Sequence, residues 1–391
     1  MLVWAKRCFI AYLLTSPYYI FPSGGLQIST FFLGLMILLT LAHIVANPRV
    51  KPSFREILRN NRYLIVFVSL ATIINVIYFL IYSNQRFLSS SLYLILNVLV
   101  VGTLIRVRAD KRFLKGITLA FKFNVLAQLI IYLVGLGRYH PTDTYRLMGT
   151  FNDPNQLAFY VFLAMLFIYA INQLQRKSSS KTDWLFWAVG VFLIILSSST
   201  GVFLGLATFV ALLVLLYTKE ILSKMKRTLV VSLVIAGMFL LGGAMAVTLH
   251  LHNIGVEIPI IGRIVDKANE EDGRNLLEDR GLDTVVHYPK HLLFGAGEGS
   301  YSRFPEQRNG GLEIHSSLIA LAFYYGIIPV TFLVKWLYDV TKKIDIRIKI
   351  AFIAILIESF TLINYRQPLL WALLILPTIA PRVQSKPAKR S

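Results

Sequence analysis

Two short stretches of the chain combine ionisable side chains with turn residues, and the first spans residues 145–155. Arg146 carries a planar guanidinium, which can bind two oxygens of one phosphate. Asn152 and Asp153 can cap a following helix, and Asn155 adds a side-chain amide beside them. The stretch is therefore a candidate substrate-binding turn, and the alternative is a well-capped helix start with a solvated arginine.

The second stretch surrounds His315, at the point where a long polar segment ends and an apolar segment begins. Glu313 precedes the histidine, and Ser316 and Ser317 follow it. A neutral imidazole can take a proton from a hydroxyl group, and a carboxylate such as Glu313 can orient it. His315 is therefore a candidate general base, although a histidine at a membrane surface is more often a structural anchor.

Arginines within the polar segment are candidate phosphate ligands: Arg274, Arg280, Arg303 and Arg308. On one helix Arg274 and Arg280 would point in different directions, because six residues are not a whole number of turns. The two side chains are therefore not expected to hold the same oxygen. Charge balance among the neighbouring carboxylates is the alternative for each arginine.

Several other chemistries lack their motifs. No D-x-D motif or P-loop occurs, and residues 295–299 do not match G-x-G-x-x-G. Cys8 is the only cysteine, and H-E-x-x-H is absent. The sequence therefore predicts neither a cofactor nor a metal centre, and it argues against a cytosolic nucleotide substrate.

The elements that must position these residues are transmembrane helices. The 391 residues are 56% hydrophobic and only 15% charged, which is far from the composition of a soluble domain. Because lipid cannot satisfy backbone polar groups, an all-α bundle is expected. About twelve apolar segments are long enough to span the bilayer, with uncertain ends. They lie near residues 4–21, 26–46, 62–82, 88–105, 114–135, 156–173, 183–198, 201–218, 228–250, 315–338, 349–364 and 367–381.

The net charge of +20 arises mainly from short turns between these segments. Lys and Arg concentrate in alternate turns, which marks the cytoplasmic side and argues against a nucleic-acid partner. The basic turns lie near residues 49–62, 106–115, 176–181, 219–227 and 335–349. An even number of spans then places both termini in the cytoplasm.

One long segment, residues 251–313, is predicted to be a periplasmic loop. It holds eleven of the twenty carboxylates of the chain and seven Lys or Arg residues, so it is net acidic. The loop divides a single membrane domain into residues 1–250, with nine spans, and residues 314–391, with three spans and a basic cytoplasmic tail. A loop of this length is usually functional.

Two charged residues are expected inside the membrane, Lys122 and Glu358. Both lie about two turns from the cytoplasmic ends of their segments, so they could form a buried ion pair. The alternative is that Lys122 extends to the inner interface.

The chain resembles the O-antigen polymerase and O-antigen ligase superfamily of bacterial surface-polysaccharide assembly. The resemblance covers mainly residues 145–330, together with the number of spans and the position of the long loop. Its carriers are Arg146 with Gly149–Asn155, the Ser198–Gly201 turn before Gly205, Gly273 with Arg274, Pro289 with Gly295–Gly299, and His315 with Gly326.

This resemblance implies metal-independent glycosyl transfer at the outer face of the bacterial inner membrane. An undecaprenyl-diphosphate-linked glycan is the implied donor, and a chain-length regulator protein is an implied partner. His315 matches a histidine that activates the acceptor hydroxyl, Arg274 matches an arginine that holds the diphosphate, and Arg146 matches a second basic contact. Thr200 stands where the family often has arginine, so the diphosphate must depend on other cations.

Three functions remain open at this stage. The leading one is a polymerase that joins lipid-linked repeat units, which the Asn152–Asn155 motif favours. The closest alternative is a ligase that moves the finished glycan onto lipid A core. A polysaccharide or lipid transporter is the third, but the sequence shows no clear internal repeat, and its polar residues gather near the outer surface.

Overall fold

The structure is a computed structural model that describes residues 1–21, 27–222, 281–304 and 313–380. Arg274 and Arg280 lie outside the described residues, as do Arg308, the ninth predicted span and most of the predicted periplasmic loop.

The described residues form fifteen α-helices and one two-stranded sheet, with a short 3₁₀ turn at Tyr301–Arg303. The helices are α1 (Leu2–Thr15), α2 (Ile28–Ala46), α3 (Phe54–Asn60), α4 (Arg62–Tyr82), α5 (Arg86–Val107), α6 (Lys111–Leu133), α7 (Pro154–Gln175), α8 (Lys181–Ser197), α9 (Thr200–Leu222), α10 (Asp283–His287), α11 (His291–Phe294), α12 (Ser317–Tyr325), α13 (Ile327–Thr341), α14 (Ile346–Glu358) and α15 (Pro368–Ile379). The strands are β1 (Arg138–Tyr139) and β2 (Leu147–Gly149), which pair antiparallel.

Six of the described helices are long and apolar enough to cross a membrane: α2, α4, α5, α6, α7 and α9. The chain is therefore mostly helical and has the helices of a multi-pass membrane protein, as its composition predicts. The β1–β2 hairpin is a small departure from the all-α expectation.

Helix α7 is the central element of the described bundle. Within its most apolar window 83% of the residues are buried, against 28–44% in the other five long helices. It packs against α6, α8, α9, α14 and α15. Asp153 caps its N-terminus, since the carboxylate accepts a hydrogen bond from the Asn155 backbone N–H at 2.7 Å. This confirms the predicted cap, which fixes the start of the helix beside the 145–155 stretch.

Basic turns meet at one end of the bundle. Arg106 is buried there and donates to the backbone carbonyls of Asn47, Val50 and Pro52. At the same end, Lys6 on α1 pairs with Asp110. This end is hereafter the basic end, and the end that carries β1, β2 and the start of α7 is the opposite end.

The predicted tenth span is broken at Gly326, which separates α12 from α13. Gly326 has φ +78, and an added Cβ would lie 2.5 Å from the carbonyl oxygen of Leu293. The last carbonyls of a helix lack partners within it. At the end of α12 these partners are two backbone N–H groups. Ala296 donates to the carbonyl of Phe323 at 2.9 Å, and Gly297 donates to the carbonyl of Tyr324 at 2.8 Å.

Residues 295–299 are therefore buried within the helical bundle. Their placement differs from the expected irregular loop outside the spans. The physical reason is local: breaking one helix exposes carbonyl groups, and the glycine-rich stretch can approach closely enough to satisfy them.

The predicted ion pair between Lys122 and Glu358 is wrong. Lys122 lies 2.5 Å from Asp183 at the start of α8 and donates to Thr182 at 3.0 Å. Glu358 instead accepts a hydrogen bond from the side-chain amide of Asn364. Lys122 and Glu358 therefore face different neighbours around their helices.

Candidate functional site

A fully buried carboxylate, Glu298, is the centre of a polar cluster between α4, α12 and α15. It accepts hydrogen bonds from the hydroxyl groups of Tyr325 and Tyr365, the latter at 2.7 Å. Arg366 forms an ion pair with the same carboxylate. A buried charge is tolerated only when it is paired and hydrogen-bonded, and these three donors satisfy both conditions.

Helices α4 and α5 fix the backbone of Glu298. Its N–H donates to the side-chain carbonyl of Asn75 on α4 at 2.7 Å. The amide group of Asn75 in turn donates to the hydroxyl of Ser91 on α5 at 3.0 Å. Asn75 is itself fully buried, so the cluster is anchored to α4 and α5 as well as to α12.

The guanidinium of Arg366 connects Glu298 to Glu313. Its Nη2 contacts both carboxylates, and Nη1 lies 3.4 Å from Oε2 of Glu313. The side chain of Glu298 is inaccessible, whereas those of Arg366 and Glu313 are 26% and 23% exposed. The cluster therefore has a buried side at Glu298 and an accessible side at Glu313.

His315 lies two residues after Glu313, and its Nδ1 contacts the backbone carbonyl of Glu313. A carbonyl oxygen can only accept a hydrogen bond, so Nδ1 carries the proton in the neutral ring. Nε2 is then the nitrogen that can accept a proton. The contact thus leaves Nε2 as the accepting nitrogen of the neutral ring, and it uses the backbone of Glu313 rather than the carboxylate expected from the sequence.

A non-helical segment, residues 359–367, carries Arg366 into the cluster between α14 and α15. The hydroxyl of Ser317 donates to the carbonyl of Leu362 at 2.6 Å and accepts from the backbone N–H of Asn364 at 2.8 Å. The side-chain amide of Asn364 donates to the buried Glu358. These bonds attach the segment to the start of α12, two residues from His315.

Arg146 is buried, with 6% of its surface exposed, and its partners come from three elements. Nε donates to the carbonyl of Ser197 and Nη2 to the side chain of Asn155, both at 3.2 Å. Asp143 lies 3.6 Å away. Arg146 therefore joins the 145–155 stretch to the turn between α8 and α9, and Asn155 orients it.

The turn between α8 and α9 lies beside the 359–367 segment. At Gly201 an added Cβ would collide with the side chain of Thr361. The hydroxyl of Tyr19 is hydrogen-bonded to Gln367, and its backbone N–H donates to the carbonyl of Thr150 at 3.2 Å. The opposite end thus brings together the two stretches that the sequence singled out.

The other two predicted residues of the 145–155 stretch, Asn152 and Asp153, also have hydrogen-bond partners. Asn152 accepts a hydrogen bond from Arg138 at 3.1 Å and donates to the carbonyl of Phe21 at 3.0 Å. Asp153 acts as the α7 cap described above. Both therefore shape the turn at the start of α7.

Arg303 packs inside a group of aromatic rings. Its guanidinium lies 4.7–5.4 Å from the ring centres of Tyr78, Tyr82, Phe87 and Phe304. It also donates to the carbonyl of Gly297 at 2.9 Å. Such cation–π contacts hold the 295–304 stretch against α4 and α5. The structure thus gives Arg303 a packing role beside the cluster.

His291 packs in the same part of the structure, with ring centres 5.9 Å from Phe304 and 5.4 Å from Phe323. Burial lowers the pKa of this imidazole below its ordinary value of 6.5. The neutral ring is therefore the form that the folded protein favours.

Sequence reasoning missed the centre of the cluster, which consists of Glu298, Arg366, Tyr325, Tyr365 and Asn75. One signal was present: Arg366 stands between two apolar segments on the side where positive charge is scarce. The partners of Glu298 come from distant parts of the chain and left no local pattern.

The cluster lies at the N-terminal ends of α13 and α15, beside Tyr325 and Arg366. Helix α13, with fifteen residues, spans about 22 Å, and α15, with twelve, spans about 18 Å. The cluster is therefore separated from the basic end by about the length of these two helices.

Comparison with known proteins gives no match to a family model, a curated protein or a solved structure. Among the described residues, no group of three His, Cys, Asp or Glu side chains is arranged to hold a metal ion. The site is thus defined by its own geometry, as a buried carboxylate–arginine cluster beside a histidine in a helical membrane-type fold.

Proposed function

We propose that the chain is a membrane glycosyltransferase that polymerises undecaprenyl-diphosphate-linked oligosaccharide repeat units, of O-antigen or a related surface polysaccharide. The observation that carries the proposal is the setting of His315. Its Nδ1 faces the backbone carbonyl of Glu313, which leaves Nε2 as the accepting nitrogen of the neutral ring, and the side chain of the same Glu313 is paired with Arg366. A base next to positive charge is what transfer from a diphosphate to a hydroxyl requires.

In the proposed reaction, Nε2 of His315 takes the proton of the acceptor hydroxyl as its oxygen attacks the anomeric carbon of the donor sugar. The new C–O bond forms while the bond from that carbon to the diphosphate oxygen breaks. The electron pair leaves with the lipid diphosphate, whose added negative charge needs nearby cations. Arg146 and the predicted loop arginines Arg274 and Arg280 are proposed to bind it.

Composition and charge pattern support the proposed location. The described basic turns meet at one end, which the positive-inside pattern assigns to the cytoplasm. His315 and Arg146 lie toward the opposite end, which would face the periplasm. We propose a bacterial inner-membrane protein with both termini in the cytoplasm, acting on lipid-linked donor and acceptor glycans. A chain-length regulator is a proposed protein partner.

A complementation experiment tests this function. A strain that lacks the protein receives either wild type or His315→Ala, and its lipopolysaccharide is separated on a gel. We expect a ladder with wild type and none with His315→Ala. His287→Ala is the matched control, because His287 is an exposed histidine earlier in the chain. A normal ladder with His315→Ala would remove this residue from the mechanism.

The same gel separates polymerase from ligase. A polymerase defect leaves one repeat unit on the lipid A core. A ligase defect leaves a bare core while lipid-linked polymer accumulates. We propose the polymerase because of the Asn152–Asn155 motif, and the second pattern would assign the ligase instead.

Two structural features favour a transporter as a second candidate. The break at Gly326 and the buried Glu298–Arg366 pair resemble the discontinuous helices and deep charges of transporters. A pure transporter makes no new glycosidic bond. Longer glycans formed by purified protein in detergent, where no compartments exist, would exclude it.

A further inference from the structure

We propose that the accessible edge of Arg366 binds the diphosphate of the lipid-linked donor, and that Glu313 occupies this edge in the arrangement seen here. The inference rests on the proposed function and adds a residue that the sequence did not suggest.

Glu298 fixes the orientation of Arg366. Nε and Nη2 of the guanidinium face this fully buried carboxylate, which the hydroxyl groups of Tyr325 and Tyr365 also bind. The carboxylate is fully buried and bound by two tyrosine hydroxyls, and Asn75 holds the backbone N–H of the same residue, so Glu298 gives Arg366 a rigid support. A preorganised guanidinium binds an oxyanion without first having to be ordered.

The other edge of the guanidinium faces Glu313, where the side chains are about a quarter exposed. Both terminal nitrogens contact the two oxygens of Glu313, which is the two-pronged geometry that a phosphate also accepts. Two phosphate oxygens could replace the carboxylate oxygens and keep the number of hydrogen bonds. Because Glu298 keeps one carboxylate on the guanidinium, the incoming diphosphate must displace the Glu313 carboxylate rather than add to it.

Position along the chain links this edge to the proposed base. Glu313 and His315 are two residues apart, and the Ser317 contacts place the 359–367 segment beside both. A donor diphosphate at Arg366 would therefore lie close to the imidazole that activates the acceptor. This proximity is what transfer between two bound substrates requires.

Binding of undecaprenyl diphosphate to the purified full-length protein in detergent tests the inference without any transfer reaction. We expect Arg366→Gln to weaken binding at least about tenfold, because it removes charge-assisted hydrogen bonds. The affinity of Arg366→Lys should lie between those of wild type and Arg366→Gln, since lysine keeps the positive charge but cannot donate two parallel hydrogen bonds. Arg86→Gln is the matched control: it removes an exposed positive charge next to the α4–α5 turn, and we expect unchanged affinity.

Glu313→Gln gives the opposite and more specific expectation. It removes the competing charge while keeping the shape of the side chain, so the affinity should rise roughly two- to fivefold. An inhibitory contact predicts this gain, whereas a purely structural ion pair predicts a loss of both affinity and thermal stability. Inorganic pyrophosphate, tested in parallel, shows whether the phosphate alone or the lipid is recognised.

Equal affinity of wild type and Arg366→Gln would overturn the inference, as would weaker binding by Glu313→Gln. The proposed function fails separately, if wild type binds undecaprenyl diphosphate through Arg366 but forms no glycosidic bond. A thermal unfolding curve for each variant identifies any that loses binding because it does not fold.

Discussion

Replacing Gly326 with alanine tests whether the break between α12 and α13 holds residues 293–297 against the bundle. Gly326 has φ +78, and an added Cβ would lie 2.5 Å from the Leu293 carbonyl oxygen and 2.8 Å from the backbone N of Gly295. Both neighbours are backbone atoms, so they cannot rotate away. The substitution must separate the two segments.

Two contributions give the expected cost. The left-handed backbone costs a residue with Cβ about 1–2 kcal/mol. Separation also weakens the bonds from Ala296 and Gly297 to the end of α12, each worth about 1 kcal/mol. Together these predict a loss of about 3–4 kcal/mol in the free energy of unfolding.

Two further glycines separate these contributions. Gly135 has φ +71 with nothing within 4 Å of an added Cβ, so Gly135→Ala should cost only the backbone contribution of about 1–2 kcal/mol. Gly34 lies within α2 with the same open surroundings, so Gly34→Ala should be neutral or stabilising by up to about 1 kcal/mol.

Reversible unfolding of the purified protein in mixed detergent micelles measures all three variants. The expected order of stability is Gly34→Ala, then Gly135→Ala, then Gly326→Ala. If Gly326→Ala lost no more stability than Gly135→Ala, the close approach of residues 293–297 to the helix break would be refuted.

Three further predictions concern ionisable groups. In a double-mutant cycle of unfolding free energies, Lys122→Ala and Asp183→Ala should show a coupling energy of about 1 kcal/mol. The cycle of Lys122→Ala with Glu358→Ala should show no coupling. The reverse result would support the Lys122–Glu358 pair expected from the sequence. Because burial lowers the pKa of His291, the unfolded chain binds a proton more readily, so its contribution to stability is complete above about pH 6.5 and falls below it. Between pH 7.5 and 5.5 the melting temperature of His291→Gln should fall less than that of wild type. An equal fall in both proteins would contradict the lowered pKa of His291. Glu298→Gln should cost about 2–4 kcal/mol, because it replaces the fully buried charged partner of Arg366 with a neutral amide and leaves only the more exposed Glu313 carboxylate. A cost below about 1 kcal/mol would contradict the buried ion pair.

Hydropathy predicted most described helices to within a few residues, because a long apolar run in lipid has few alternatives to a helix. The N-terminal cap of α7 could also be predicted, because it depends only on Asp153 and on the two residues that follow it, Pro154 and Asn155. Such features depend on neighbours in the chain and are therefore visible in the sequence.

The buried cluster could not be found in this way. Asn75 and Glu298 are separated by 223 positions, and Glu298 and Arg366 by 68. The expected Lys122–Glu358 pair failed for a related reason: counting turns gives depth in the membrane but not the direction that a side chain faces. Gly326 gave no warning of a break, because a glycine inside an apolar run is common in membrane helices.

We propose that the protein itself forms glycosidic bonds with His315 as the base. Purified protein in detergent, given a defined undecaprenyl-diphosphate-linked repeat unit and no ion gradient, tests this proposal directly when the products are sized. We expect a ladder of longer lipid-linked glycans from wild type and unreacted donor from His315→Ala. Donor that stays unchanged with correctly folded wild type, or an equal ladder from both proteins, would contradict it.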